Sequence, residues 1–259
     1  MLAHPLLPKL KQLRLSGIAQ TLDERAAFAG VSSISHIDFL ALLLDDELER
    51  RAQSRYQRRI QRAGFEDIKL LSQFNFDAAP NLDRTFVAHM GTCQFVQNRE
   101  NWLIIGPTGV GKSHLAAAIG YEAIKKGYTV LWKDTAEMVA DLACARDEGI
   151  FARRFKALID TELLILDDFG LKPIPVQGAQ DLYDIIRKRY EHGSIVLTSN
   201  RALDEWEQVF QDGLLASAGF DRLTHHARMT VLTGQSYRQT HRNKKAGQKE
   251  EADTISEKH

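Results

Sequence analysis

The stretch GPTGVGKS, residues 106–113, has the residue types and the spacing of a loop that binds nucleotide phosphates. It matches the pattern G-x-x-x-x-G-K-[ST] and lies between the apolar run WLII and the helix-like segment HLAAAIG. Its glycines allow backbone N–H groups to converge on phosphate oxygens, and the following helix adds partial positive charge. The predicted phosphate-binding loop comprises Gly106, Pro107, Thr108, Gly109, Val110, Gly111, Lys112, Ser113 and His114.

Two later segments carry polar residues directly after apolar, strand-like runs. Asp167 and Asp168 follow LLIL, and Asn200 follows SIVLTS. The carboxyl edge of a parallel sheet is where α/β proteins bind ligands, so these side chains are expected beside the phosphate loop. Lys112 would then reach the β- and γ-phosphates of a nucleotide, while Ser113 and Asp167 would hold Mg²⁺. Asp168 suits a general base, and the Asn200 amide would orient the attacking water.

Each of these signals also has a simpler explanation. A glycine-rich turn can match the loop pattern by chance, and acids commonly end solvated strands. Asparagine after a strand is usually a turn former. The order of the three segments, with a strand before the loop and a helix after it, favours a nucleotide site.

The elements that must position these residues follow from an alternation of apolar runs and helical segments after about residue 85. The predicted strands span residues 101–105, 128–133, 163–166, 194–199 and 228–233. The predicted helices span residues 114–126, 178–192 and 203–210, and a further one begins near residue 136. Such alternation indicates right-handed crossovers. The predicted fold class is therefore α/β, with a parallel five-stranded sheet between helices.

The amino-terminal part has a different pattern, with leucines at helical spacing and a helix predicted from residue 35 to residue 63. We therefore predict a small all-helical domain over residues 1–73 and a linker over residues 74–84, which contain a proline and several turn formers. The nucleotide-binding domain would span residues 85–238. The polar segment 239–259 is predicted to be a disordered tail.

The composition is that of a globular protein and excludes several classes. The chain has 259 residues, 34 basic and 34 acidic side chains, and a hydrophobic content of 44%. Its longest apolar run, residues 39–44, is far shorter than the roughly 20 residues that span a bilayer, so no membrane partner is expected. Two cysteines cannot form a disulfide framework, which favours a reducing cytoplasm.

These segments resemble the AAA+ ATPases, and within them the IstB/DnaC group of helpers in replication and transposition. The resemblance covers nearly the whole chain and is carried by GPTGVGKSHLA, LLILDDFG, RYEHGSIVLTSNRALDEW and FDRLTHHARMTVLTGQSYR. It implies that Lys112 and Ser113 belong to the Walker A motif and that Asp167 and Asp168 are the Walker B acids. It also implies that Asn200 is sensor 1.

The resemblance also implies an arginine finger, which an adjacent subunit supplies to the γ-phosphate. Arg222, in FDRL, matches that position, and a surface ion pair with Asp221 is the alternative. Many AAA+ members have glutamate where this chain has Asp168. The usual helical lid is missing, since only about 25 residues follow the last predicted strand. Arg238 is a candidate to replace the arginine that such a lid provides.

ATP or ADP and Mg²⁺ are the ligands that this resemblance implies, with a bacterial cytoplasm as the location. The implied partners are duplex DNA, bound without sequence preference, a cognate transposase, and further copies of the chain that share ATP sites. The implied function is to help the transposase in target DNA selection and strand insertion. A helicase loader of the DnaC type and a small-molecule kinase are the alternatives.

Local charge supports a DNA partner although the net charge is zero. Residues 1–75 hold 11 basic and 9 acidic side chains, and residues 50–62 hold six arginines and no acid. Such a stripe neutralises duplex phosphates without reading bases. The candidate DNA contacts are Arg50, Arg51, Arg55, Arg58, Arg59 and Arg62, with Arg153 and Arg154 in a second cluster. In both clusters a solvated helix face is the alternative.

Overall fold

A computed structural model describes residues 5–210, 213–234 and 236 of the chain. The contacts divide the chain into two compact units, Met1–Arg59 and Ile60–His259. Arg238 and the predicted tail 239–259 lie outside the described residues. No helix in the described part is both long enough and apolar enough to cross a membrane.

The first unit is helical, and the division between the units falls within its last helix. Its helices are α1 (Leu7–Gln12), α2 (Ser16–Ser32) and α3 (His36–Ala63). A small apolar core is made of Ile18, Leu22 and Leu43, with Leu10, Leu15 and Phe39 packed against it. The buried carboxylate of Glu47 accepts a hydrogen bond of 2.6 Å from the amide of Gly17, which satisfies an N–H group in the first turn of α2.

The second unit contains a five-stranded sheet in which every strand pairs in parallel. The strands are β1 (Asn101–Ile105), β2 (Val130–Asp134), β3 (Leu163–Phe169), β4 (Ser194–Ser199) and β5 (Ala227–Val231). Their order is β2-β3-β4-β1-β5, so that β1 lies between β4 and β5. This confirms the predicted α/β class with a parallel five-stranded sheet and a helical amino-terminal region.

Helices connect these strands and cover the sheet. They are α4 (Arg84–Gly91), α5 (Gln94–Gln97), α6 (Lys112–Lys125), α7 (Thr135–Asp147), α8 (Phe151–Asp160), α9 (Val176–Arg189), α10 (Glu207–Phe210) and α11 (Gly213–His225). Side chains alternate between the faces of a strand. Leu164 and Leu166 therefore join a core with α7, α9 and α11, whereas Ile165 contacts α6 on the other side.

Two predictions at the carboxyl-terminal side need correction. The predicted helix 203–210 is a short 3₁₀ turn, Leu203–Glu205, followed by the single-turn helix α10. The helix α11 was not predicted. Two glycines lower the helix propensity of its sequence, GLLASAGFDRLTH, and packing against α9 and α10 stabilises it instead.

Residues 60–84 belong to the second unit by their contacts. Phe74 and Leu82 are buried, and two 3₁₀ turns, Leu71–Gln73 and Phe76–Ala78, shape this segment. The structural division therefore falls earlier than the sequence-based boundaries at residues 73 and 85, which stay predictions.

The buried side chain of Arg189 joins the amino ends of β3 and β4 to the carboxyl end of α8. The guanidinium of Arg189 donates hydrogen bonds to five backbone carbonyls, those of Leu158, Ile159, Thr161, Glu162 and Ser194. Burial lowers the pKa of Arg189 to about 10. The strands that carry the acidic and polar site residues thus start from a common anchor.

Candidate nucleotide site

The predicted phosphate loop joins β1 to α6, as the pattern requires. Gly106, Gly109 and Gly111 have φ angles of 153°, 86° and 101°, which a residue with a side chain rarely adopts. A Cβ atom on Gly106 would lie 2.3 Å from the carbonyl oxygen of Leu232. The glycines are therefore needed both for the turn of the loop and for close packing against the segment after β5.

The two side chains that end the loop begin α6. Lys112 is buried, and its Nζ donates a hydrogen bond of 2.9 Å to the carbonyl oxygen of Pro107. Ser113 lies beside Asp167, and its hydroxyl acts to lower the pKa of the Asp167 carboxyl. The loop hydroxyl and the first acid predicted from the sequence therefore meet at one point.

The two acids lie at the carboxyl end of β3, next to the end of β4. The Asp167 carboxylate accepts a hydrogen bond of 2.5 Å from the hydroxyl of Thr198, and the same hydroxyl accepts one of 3.0 Å from the amide of Asp168. Burial raises the pKa of Asp167 above its usual value. The hydroxyls of Thr198 and Ser113 act in the opposite direction and lower this pKa. Carboxylate and hydroxyl oxygens are ligands that Mg²⁺ prefers, so Asp167 and Ser113 fit this ion.

The backbone is irregular at these acids. The pairing of β3 with β4 shifts register between Leu166 and Phe169, and Asp168 has a left-handed φ of 51°. Non-glycine residues rarely adopt this conformation, and it concentrates at functional sites. The chain therefore turns Asp168 out of the regular strand direction at the edge where the phosphate loop lies.

A cavity of about 930 Å³ opens beside the loop and the acids. Its walls include Thr108 to His114, Asp167 and Asp168, together with parts of residues 62–78, β2, α7 and α8. The ring of Phe74 packs edge-on against that of His114, with centroids 5.6 Å apart. Burial lowers the pKa of His114, which favours its neutral form next to this ring. The cavity has room for a nucleotide with its phosphates at the loop.

Asn200 does not line this cavity. It is exposed in a bend directly after β4, whereas Thr198, two residues earlier, is buried and touches both acids. In the sequence, Thr198 is part of the strand-like run SIVLTS that precedes Asn200, and no role was predicted for it. The only sequence signal for a role of Thr198 was a hydroxyl side chain near the end of an apolar strand. Its contacts with Asp167 and Asp168 depend on a register shift between β3 and β4, which no sequence pattern predicts.

Arg222 lies at the opposite edge of the sheet from the phosphate loop. It lines a small pocket together with Asn101, the first residue of β1, and Ile195, the second residue of β4. The four steps along β1 from Asn101 to Ile105 rise about 3.3 Å each, so the two ends of this strand are about 13 Å apart. Its guanidinium donates a hydrogen bond of 2.7 Å to the carbonyl oxygen of Ala218 and lies 5.8 Å from the ring centre of Tyr183.

The arginines of α3 do not form a uniform set. Arg51, Arg55, Arg58 and Arg62 are exposed, whereas Arg50 and Arg59 are half-buried. Arg51 donates a hydrogen bond of 2.7 Å to Glu47, the residue that caps α2, and a second to the carbonyl oxygen of Arg14. Arg51 therefore has a structural role within the first unit.

The second basic cluster also separates into different environments. Arg153 and Arg154 are both exposed on α8, but only Arg154 is among the residues that line the cavity beside the phosphate loop. Two neighbouring arginines that the sequence treats alike thus have different surroundings.

The strand order, the phosphate loop after β1 and the acids at the carboxyl end of β3 define a P-loop ATP-binding protein of the AAA+ class. The crystal structure of the DnaC helicase loader has a similar fold, with a TM-score of 0.55 and 20% identity over 64% of this chain and 97% of that one. The crystal structure of DnaI gives the same TM-score and identity over 64% of this chain and 91% of its own.

The chain belongs to the family of IstB-like ATP binding proteins, whose model matches residues 8–245. It is 36% identical over 233 residues to the ATP-binding protein of insertion sequence IS21 from Pseudomonas aeruginosa, covering 90% of this chain and 87% of that relative. An insertion-sequence ATP-binding protein of Sinorhizobium fredii is 34% identical over 244 residues, covering 94% and 100%. The family assignment therefore includes the helical amino-terminal part as well as the nucleotide site.

Proposed function

We propose that this protein is a Mg²⁺-dependent ATPase that assembles on duplex DNA and helps a transposase in target DNA selection and strand insertion. The observation that carries the proposal is the separation of Arg222 from the phosphate loop by the length of β1. An arginine at that edge reaches the γ-phosphate only in the site of a neighbouring copy. ATP at a subunit boundary would then link nucleotide state to assembly.

The residues around the cavity account for the chemistry of hydrolysis. Asp168 orients a water molecule whose oxygen attacks the γ-phosphorus, while the bond from that phosphorus to the β–γ bridging oxygen breaks. The carboxylate of Asp168 accepts the proton of the water, and ADP and inorganic phosphate leave. Lys112 and the loop amides bind phosphate oxygens. Ser113 and Asp167 would hold Mg²⁺, which would neutralise charge on the β- and γ-phosphates.

The DNA part of the proposal is supported by the exposed arginines on one helix. On α3, the positions of Arg55, Arg58 and Arg62 differ by three or four residues, so these side chains lie on one face. Such a face binds phosphates of any sequence, and its affinity falls as salt rises. A neutral chain still presents a long basic track when many copies align. The insertion-sequence names of the relatives support a transposase as the protein partner.

The test is to measure duplex binding and particle mass with ATP, with ADP and without nucleotide. We expect ATP to promote large assemblies on duplex DNA, and ADP to release them. Duplex binding that is the same in all three conditions, or no binding in any, would contradict the assembly proposal.

A helicase loader is the second candidate, because the fold of the nucleotide-binding unit is similar to that of the DnaC helicase loader. A loader would act mainly on single strands, which proteins usually bind through exposed aromatic rings. Competition between duplex and single-stranded DNA of equal length discriminates the two candidates. Preference for single strands would favour the loader.

A further inference from the structure

We propose that Thr198 is a positioning residue of the ATPase site, whose hydroxyl holds Asp167 and Asp168 in the arrangement that Mg²⁺ binding and hydrolysis require. This inference rests on the proposed ATPase function. It gives a task to a residue of β4 for which the sequence predicted none; the task predicted for Asn200 was a different one, to orient the attacking water.

The geometry of the hydroxyl carries the argument. The Thr198 side chain is buried, and its Oγ1 donates to Oδ1 of Asp167 at 2.5 Å while it accepts from the amide of Asp168 at 3.0 Å. A hydroxyl has one donor and two acceptor positions, so a single threonine satisfies both partners at once. Neither valine nor alanine can replace these contacts.

The irregular backbone explains why a side chain is needed here. The ladder between β3 and β4 shifts register between Leu166 and Phe169, and Asp168 adopts a left-handed φ of 51°. The amide of Asp168 bonds to the Thr198 hydroxyl across this break. The hydroxyl thus joins the two strands at the point where the backbone changes direction, and it fixes the backbone that carries the Asp168 carboxylate.

The same contact sets the orientation of Asp167. With Thr198 bound to Oδ1, the carboxylate also lies beside the hydroxyl of Ser113. Thr135 Oγ1 donates to the Asp167 carbonyl oxygen at 2.8 Å and holds the backbone of this residue. Thr198 and Thr135 therefore hold the side chain and the backbone of Asp167, and Thr198 contributes the contact that reaches both acids.

The experiment uses Thr198→Val in the full chain, with Thr198→Ser as the rescue variant. A fluorescent ATP analogue gives the Kd with Mg²⁺ and with EDTA, and phosphate release gives kcat. Residues that orient metal ligands typically contribute about 10- to 100-fold to metal affinity or activity. We expect Thr198→Val to bind the analogue in EDTA within about threefold of the original chain. Its gain in affinity on adding Mg²⁺ should fall about tenfold or more, and its kcat by a similar factor.

Thr198→Ser keeps the hydroxyl and should restore both quantities to within about threefold. Ser194→Ala is the matched control, because it removes a buried hydroxyl at the other end of β4, where the bond goes to the carbonyl oxygen of Phe95. This control should keep the Mg²⁺ effect. If Thr198→Val does not fold, Thr198→Ala removes the same hydroxyl with a smaller side chain.

An unchanged Mg²⁺ effect and an unchanged kcat in the valine or alanine variant would overturn the role of Thr198. Failure of the proposed function looks different, because the original chain would then bind the analogue but release no phosphate. The Mg²⁺-dependent affinity tests Thr198 in that case too.

Discussion

The ammonium group of Lys112 lies 2.9 Å from the carbonyl oxygen of Pro107, which accepts its hydrogen bond within the phosphate loop. The lysine is buried, so this contact holds its charge within the loop. A phosphate oxygen is a stronger acceptor than a neutral carbonyl, because hydrogen bonds between ions are shorter and stronger. On nucleotide binding, we therefore expect Lys112 to exchange its contact with Pro107 for a contact with a phosphate oxygen.

Lys112→Ala should weaken ATP binding about 100-fold or more, because it removes the cation that meets the β- and γ-phosphates. Titration of a fluorescent ATP analogue measures the effect. Lys126→Ala removes an exposed lysine just after α6 and serves as the control, with expected affinity close to that of the original chain. Equal affinities in the two variants would contradict the assignment of Lys112.

Arg222→Ala should keep ATP binding and lose about 10³-fold or more of kcat, since arginine fingers act on the transition state. Mixing it with Asp168→Asn should restore part of the hydrolysis. In mixed assemblies, a site with an intact Asp168 can receive Arg222 from the other variant. Steady-state phosphate release against mixing ratio measures this recovery.

The control for the finger is Arg187→Ala, which breaks a surface ion pair with Asp184 at 3.1 Å and should leave hydrolysis unchanged. A linear mixing curve without any recovery would exclude shared sites. Arg222→Ala that hydrolyses ATP normally would remove the finger assignment altogether.

Replacing Arg55, Arg58 and Arg62 together by glutamine should weaken duplex binding uniformly across sequences. The slope of log K against log salt is negative, and each lost phosphate contact makes it less steep by about 0.9. The slope of the triple variant should therefore be less steep by up to about three units. Fluorescence anisotropy with two unrelated duplexes at several salt concentrations measures both quantities.

Arg51→Gln is the contrasting variant in the same helix. Because Arg51 binds Glu47 and the Arg14 carbonyl, it should lower stability more than it lowers DNA affinity. A salt slope that does not change in the triple variant would indicate that this face of α3 is solvated rather than bound to DNA.

The first unit should lose stability in acid through one ion pair. The side chain of Arg25 donates hydrogen bonds of 2.9 and 2.6 Å to Asp46, and this arginine lowers the pKa of Asp46 to about 2. The folded pKa lies below the unfolded value of about 3.9. The stabilisation is therefore present above about pH 4 and is lost as the pH falls towards about 2.

Asp46→Asn should accordingly lower the free energy of unfolding at neutral pH and flatten its fall between about pH 4 and about pH 2. Urea unfolding followed by circular dichroism at each pH measures both. Asp45→Asn, at the exposed neighbouring position, is the control and should keep the original profile. A profile of Asp46→Asn that parallels the original chain would disprove the link to Arg25.

The sequence predicted the elements whose cause is local. The strands at 101–105 and 194–199 have the predicted bounds, because apolar runs of that length are buried on both faces of a parallel sheet. The phosphate loop was equally predictable, since its glycines are needed for φ angles of the loop itself. These features depend on residues that are neighbours in the chain.

Features that depend on distant contacts were not predictable. Thr198 gains its role from a register shift between strands whose contacting residues are 30 or 31 positions apart. Helix α11 is stabilised by packing rather than by its own glycine-containing sequence. Arg153 and Arg154 differ only in which side of α8 they occupy, which depends on how that helix packs.

The place of β1 between β4 and β5 has a consequence for synthesis on the ribosome. The phosphate loop is made early, but both strands that flank β1 are made later, and Leu232 bonds to Ile105 and packs on Gly106. A nascent chain that ends before residue 227 carries the whole loop motif with β1 as a bare sheet edge. Such chains should not bind nucleotide, and their open edge is a target for chaperones or for aggregation.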